Sequence, residues 1–93
     1  MTVGLLCVEI HLPESNSLKA KRMILRSIKD KLRHDFNVSV AEIGSNDKWQ
    51  RALLGIATVS NDRKFANNVL NKIVDKLRYR DSFNIIDYTI ELL

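Results

Sequence analysis

Cysteine is nearly absent from this sequence. Its 93 residues include a single cysteine, Cys7, which excludes an internal disulfide, a CxxC redox motif and a cysteine-rich zinc site. Cys7, Glu9 and His11 alternate along a predicted strand and share one side of it. Same-side neighbours on a strand are roughly 7 Å apart at Cα, which is long for ligands that converge on one ion. We therefore predict no metal and no small-molecule cofactor.

Long apolar runs are also missing. No stretch approaches the ~20 residues that span a bilayer, and the first ten residues contain Glu9 and lack the basic start of an export signal. We therefore expect a cytoplasmic protein without a membrane partner. Apolar residues make up 45% of the chain, which is typical of globular proteins, and the length fits one domain over residues 1–93.

The apolar residues that are present recur with the periods of strands and helices. Alternation predicts strands over residues 2–12, 37–43, 49–59 and 84–92, with a turn over 44–48. Spacing at three and four predicts a helix over about 18–35 and a second one that follows capping residues at 60–62 and runs to about 79. Ser17 is the expected N-cap of the first helix. In the last strand, four residues are expected to point inward: Ile86, Tyr88, Ile90 and Leu92.

The element order β-α-β-β-α-β predicts a ferredoxin-like α+β sandwich. Right-handed crossovers place both helices on one face of a four-stranded antiparallel sheet of order 4-1-3-2. The first and third strands are central in that order. They are also the two strands with apolar residues on both faces.

Several known activities of this fold lack their motifs here. An RNA-recognition motif needs aromatic residues on the third strand, which has none beyond Trp49. The loop after the first strand has neither the glycine nor the arginine of an acylphosphatase, and the phosphate-binding motifs GxGxxG and GxxxxGK[ST] do not occur. No Ser-His-Asp or Cys-His arrangement is indicated. We therefore predict no catalytic residues and no enzyme activity.

The first predicted helix carries an ordered row of cations, here called the basic stripe. Its spacing of 3, 4, 3 and 4 places the five side chains within about 80° of the helix circumference, over about 20 Å. One interpretation is a ridge that contacts RNA or DNA phosphates. The alternative is a solvated helix face. The stripe consists of Lys19, Arg22, Arg26, Lys29 and Arg33.

A second polar group, here called the hairpin cluster, surrounds the only tryptophan. It is predicted either to cap a hairpin, with the indole covering the sheet edge, or to anchor an interaction with a partner. The hairpin cluster consists of Glu42, Asp47, Trp49, Gln50 and Arg51.

The sheet face away from the helices is predicted to be apolar at Leu5, Cys7, Leu53 and Ala57. Bare apolar surface of this kind is unusual on a monomer. This favours a second function, a non-enzymatic interaction module that forms a homodimer through its sheet face or an exposed edge strand.

Four segments resemble the YlxP-like family of bacterial proteins, a domain of unknown function. The resemblance covers nearly the whole chain and implies a ferredoxin-like fold with no established enzyme activity. It also implies a setting among translation and ribosome-maturation factors, and hence association with RNA or the ribosome. The segments are HLPESNSLKAKR from His11, FNVSVAE from Phe36, DKWQRA from Asp47, and Gly55 with VSND from Val59. The signature positions are Ser17, Leu18, Lys19, Lys21, Arg22, Glu42, Asp47, Trp49, Gln50 and Arg51.

Overall fold

The computed structural model describes residues 1–78 and 83–93. Within these residues the chain forms four strands and two helices. They are β1 (Thr2–His11), α1 (Leu18–Asp35), β2 (Ser39–Gly44), β3 (Arg51–Ser60), α2 (Arg63–Arg78) and β4 (Asn84–Leu92). All six predicted elements are confirmed, while Tyr79, the predicted end of the second helix, lies outside the described residues. In the described ranges, neither helix has the length and apolarity needed to cross a bilayer.

The four strands form one antiparallel sheet in the order β2-β3-β1-β4. This is the predicted order, and with the two helices it confirms the ferredoxin-like α+β fold. The central strands β1 and β3 pair along their whole lengths, with Leu6 opposite Ile56. Their central position explains why both strands carry apolar residues on two faces.

The hydrophobic core lies between the two helices and one face of the sheet. Alternate residues of the central strands are fully buried on this face, among them Leu6, Val8 and Leu54. Gly4 allows α2 to approach β1 closely, because a Cβ at this position would lie 2.9 Å from Leu70 Cδ1. The intervening residues of β1 and β3 are mostly half-buried and line the opposite side of the sheet, here called the open face.

Both helices begin at side chains that satisfy first-turn amides. Ser17 Oγ accepts a hydrogen bond from the Ala20 N–H at 3.0 Å, which confirms the predicted N-cap. Asp62 Oδ1 accepts from the N–H groups of Lys64 and Phe65 at 2.9 and 3.2 Å. Such caps replace hydrogen bonds that the first turn of a helix cannot make internally.

The prediction that Ile86 points inward is wrong. Its side chain is 44% exposed, and Ile85 packs against the core instead. The cause is an irregularity in the pairing of β1 with β4, where Glu9 lies opposite Asp87 but Ile10 lies opposite Ile85. The extra residue on β4 breaks the alternation, because each added residue reverses the side that follows.

The predicted starts of β2 and β3 also need correction. The Val38 N–H donates to the Phe36 carbonyl at 3.1 Å rather than to the neighbouring strand, so β2 begins after it. Trp49 and Gln50 were predicted as the start of the third strand but lie in the loop before β3. Gln50 continues the pairing through its carbonyl, which accepts from the Leu12 N–H at 2.9 Å.

An ion pair joins the end of α1 to α2. The Asp35 carboxylate accepts from the Lys76 ammonium and lies 3.1 Å from His34 Nδ1. The hydrogen bond from Lys76, supported by the one from His34, lowers the pKa of Asp35 from 3.8 to about 2. The carboxylate is therefore more acidic in the folded chain than in the unfolded chain, so its ionisation stabilises the fold.

We predict that Asp35→Asn destabilises the protein above pH 4 and has a shrinking effect below it. The wild-type advantage is fully present above the ordinary pKa of 3.8 and is lost as the pH falls toward about 2. Urea unfolding of both proteins between pH 6 and pH 2 measures this difference. A difference that stays constant over the whole range would contradict the assignment.

Candidate nucleic-acid interface

Lys21 is buried in the core face of α1. It is 1% exposed and follows the same helical line as Leu25, Ile28 and Leu32. Its ammonium leaves the core at the β2–β3 hairpin, where it donates to two backbone carbonyls. These belong to Ser45 at 2.6 Å and Lys48 at 2.7 Å. A core position on the helix thus holds the loop between β2 and β3, residues 45–50, here called the hairpin loop.

Glu42 supplies the charge that balances Lys21. Its Oε2 lies 2.7 Å from the Lys21 ammonium, and the two side chains are 18% and 2% exposed. This buried oxygen has no aligned hydrogen-bond donor within the described residues. Its attraction to the ammonium is therefore electrostatic, while the directional hydrogen bonds of the lysine go to the loop carbonyls. Removing one member of such a pair leaves the other charge buried without compensation.

Ser45 adopts the left-handed backbone conformation, with φ of 60°. Its carbonyl accepts from both the Lys21 ammonium and the Lys48 N–H, the latter at 3.1 Å. A non-glycine residue in this conformation costs about 1–3 kcal/mol. The two hydrogen bonds offset this cost and hold the hairpin loop in one shape.

Gln50 joins the hairpin loop to the loop between β1 and α1. Its side-chain Nε2 donates to the Pro13 carbonyl at 3.1 Å, and its own carbonyl accepts from the Leu12 N–H at 2.9 Å. The Lys21 contacts connect the same loop to the start of α1. Three segments that are separate in sequence therefore form one connected unit at this end of the molecule.

The structure divides the hairpin cluster by role. Glu42 and Gln50 make internal contacts. Asp47 and Trp49 are exposed in the hairpin loop, with Trp49 at 55%. Arg51 lies at the start of β3, with its guanidinium 3.8 Å from Glu9 Oε1. The exposed tip, rather than the whole cluster, is available to a partner.

Four members of the basic stripe are free of carboxylates. Lys19, Arg22 and Arg26 are exposed and Lys29 is half-buried, and none lies within 4 Å of a carboxylate in residues 1–78 or 83–93. Arg33 differs, because its Nη2 donates to the Val40 carbonyl at 2.9 Å. Val40 belongs to an edge strand, so Arg33 covers part of a sheet edge.

Charge is segregated between the two layers of the fold. The helices contain 12 of the 15 lysines and arginines and three of the 11 acids. The strands contain four acids and one basic residue, Arg51. Because both helices cover the same face of the sheet, the helical side is positive and the sheet side is acidic. A polyanion is therefore attracted to the helical side.

Lys21 is the residue whose importance the sequence reasoning missed. The resemblance assigned Lys21 a place in the family signature but no role. Its position in the apolar line of α1 could have indicated its role, because the helical spacing predicts a core residue there. Its three oxygen partners lie 21 to 27 positions along the chain, so only the folded chain brings them together.

The fold defines a small ferredoxin-like domain, and comparison with known proteins places it in a family. The sequence profile described as "Protein of unknown function (DUF503)" matches residues 3–90, so the chain belongs to that family. The chain is also similar to the "Uncharacterized protein YlxP" of Bacillus subtilis (strain 168). They are 39% identical over 88 residues, which cover 95% of this chain and 92% of the relative. The resemblance to the YlxP-like family is confirmed.

We predict that Lys21→Met lowers the free energy of unfolding by about 3–5 kcal/mol, because Glu42 then remains buried without its counter-charge. The double variant Lys21→Met with Glu42→Leu should recover part of this loss, since no buried charge is left. Urea unfolding measures all of these values.

The matched control for this prediction is Lys31→Met, which removes an exposed lysine from the same helix. Its effect should stay within about 0.5 kcal/mol. Equal effects of Lys21→Met and Lys31→Met would contradict the buried role of Lys21.

Proposed function

We propose that this protein binds RNA through the basic stripe of α1 and acts as a ribosome-associated accessory factor. The observation that carries the proposal is the charge segregation, which leaves four cations of the stripe without a carboxylate partner among residues 1–78 and 83–93 on the positive side of the fold. Fixed cations without carboxylate partners attract a polyanion without first breaking internal ion pairs.

The shape of the stripe supports contact with a phosphate backbone. Lys19 and Lys29 bound a row of four available cations about 15 Å long by helix rise. A row of this kind neutralises several phosphates at once and releases their counterions. Such contacts give affinity and orientation but do not read sequence.

The open face is the less suitable surface for RNA. Exposed Asp87 and Glu91 and half-buried Glu9 lie on it, with Arg51 as the basic residue of the strands. A backbone of phosphates is repelled by this charge balance. The RNA-recognition-motif arrangement, in which bases stack on the sheet, is therefore not proposed.

We predict that end-labelled RNA binds the wild type. A plot of log K against log salt should have a slope of about −3, because four phosphates of a single strand are contacted. Changing Arg22, Arg26 and Lys29 to glutamate should abolish the binding. Fluorescence anisotropy measures both effects over a range of salt concentrations.

The matched control changes Arg63, Lys64 and Lys72 of α2 to glutamate. All three are exposed, so the net charge changes equally while the stripe stays intact. This variant should keep most of the affinity. Absence of RNA binding to the wild type, or equal losses in the two triple variants, would refute the proposal.

A second candidate function, self-association, is favoured by the open face. An apolar groove of about 350 Å³ crosses β1, β3 and β2 there, with the small residues Ala41, Gly55 and Ala57 among its lining. Ile43, which also lines the groove, is 52% exposed, and Val59 on the same strand as Gly55 is 61% exposed. We propose a second copy of this chain as the occupant, related by a two-fold axis that covers both grooves at once.

We predict a particle of about twice 10.7 kDa in light scattering at micromolar concentration if the open faces pair. Ile43→Glu should convert it to a monomer, because a charge would enter the apolar interface. Phe65→Glu, at a 58% exposed position on α2, should leave the dimer unchanged. A monomeric wild type would remove this second function.

A further inference from the structure

We propose that the indole of Trp49 stacks on an unpaired base of the bound RNA, so that the ligand is single-stranded. This inference rests on the RNA binding proposed for the basic stripe and specifies which form of RNA the site takes. It assigns Trp49 a direct contact with the ligand, in place of a role in covering the sheet edge.

Trp49 is exposed on a loop that is otherwise fixed. Its indole is 55% exposed, while the residues on both sides of it are held. The Lys48 carbonyl accepts from the Lys21 ammonium, and the Gln50 carbonyl accepts from the Leu12 N–H. A large aromatic side chain on a fixed backbone loses little conformational freedom on binding, so it suits a contact surface.

The same contacts bring the loop that bears Trp49 to the start of α1, the helix that carries the basic stripe. The Lys48 carbonyl, which precedes Trp49, lies 2.7 Å from the Lys21 ammonium. The backbone next to Trp49 therefore contacts the side chain of Lys21. Arg22, a member of the basic stripe, follows Lys21 in α1. Lys48 adds another exposed cation at the tip, partly offset by the exposed Asp47.

The other described aromatic residues do not share this position. Phe83 is buried, and Phe36 lies beneath the Lys76 ammonium at 5.6 Å. Tyr88 contacts Arg78 with its ring, also at 5.6 Å. Phe65 is exposed at the start of α2, a helix that carries no part of the stripe. Within residues 1–78 and 83–93, Trp49 is the exposed aromatic residue on a loop that a side chain of α1 holds directly.

An exposed ring beside a cationic row suits single strands rather than duplexes. In a duplex the bases stack on each other and their faces are closed to a side chain. In a single strand each base has a free face, and stacking on an aromatic residue is tolerant of sequence. The phosphates would contact the stripe while one base contacts the indole.

Because the chain has a single tryptophan, its fluorescence reports directly on this site. The full-length protein is titrated with an oligouridylate of about 12 nucleotides, within the range of single-strand site sizes. We expect the fluorescence of Trp49 to be quenched, and the duplex with the matching oligoadenylate to give no comparable quenching. Trp49→Ala should weaken the affinity for end-labelled oligouridylate about tenfold, and Trp49→Phe should keep most of it.

Phe65→Ala serves as the matched control, because it removes an aromatic side chain of similar exposure outside the site, and it should leave the affinity unchanged. An unchanged affinity of Trp49→Ala would overturn the stacking contact. RNA binding by the stripe would still stand if changing Arg22, Arg26 and Lys29 to glutamate abolishes the binding. Equal quenching by duplex RNA, or by an oligoglutamate of the same charge, would also overturn it. Absence of any RNA binding would overturn both proposals.

Discussion

The buried ammonium of Lys21 is the interaction on which this end of the molecule depends. It connects a core position of α1 to two loop carbonyls and to the Glu42 carboxylate. A buried charge is tolerated only when it is paired and hydrogen-bonded, and here three oxygens meet that condition. The consequence is geometric: the loop that bears Trp49 is fixed against the helix that bears the basic stripe. An apolar residue at position 21 could fill the core but could not hold the loop.

Because the fold has two layers, the charge pattern along the chain becomes a difference in charge between the two sides of the molecule. Helices rich in lysine and arginine pack on one face of a sheet whose strands carry mainly acids. A polyanion is thereby directed to the helical side, where four cations of the stripe have no carboxylate partner among the described residues. The apolar groove lies on the opposite face, so the proposed RNA binding and the proposed self-association involve different surfaces and are compatible with each other.

The sequence was sufficient for the fold because hydrophobic periods are local properties, and α1 was predicted with its observed bounds. It was not sufficient where pairing between distant segments decides the outcome. The extra residue at Ile86 results from the pairing of β4 with β1. The hydrophobic pattern of β4 alone does not predict it. For the candidate site, the stripe was visible as a helical spacing. The engagement of Arg33 with Val40 and the contacts of Lys21 depend on partners that only the folded chain brings near.

The central claim is that RNA lies along α1 and the hairpin loop, on the side of the molecule opposite the open face. Amide chemical-shift mapping of the labelled protein with an unstructured oligouridylate tests it most directly, because each backbone amide reports its own surroundings. The account predicts that the largest shifts occur between residues 19 and 29 of α1 and in the hairpin loop, with the outward-facing residues of β4 unaffected. Shifts concentrated on the open face, or none at any RNA concentration, would contradict it.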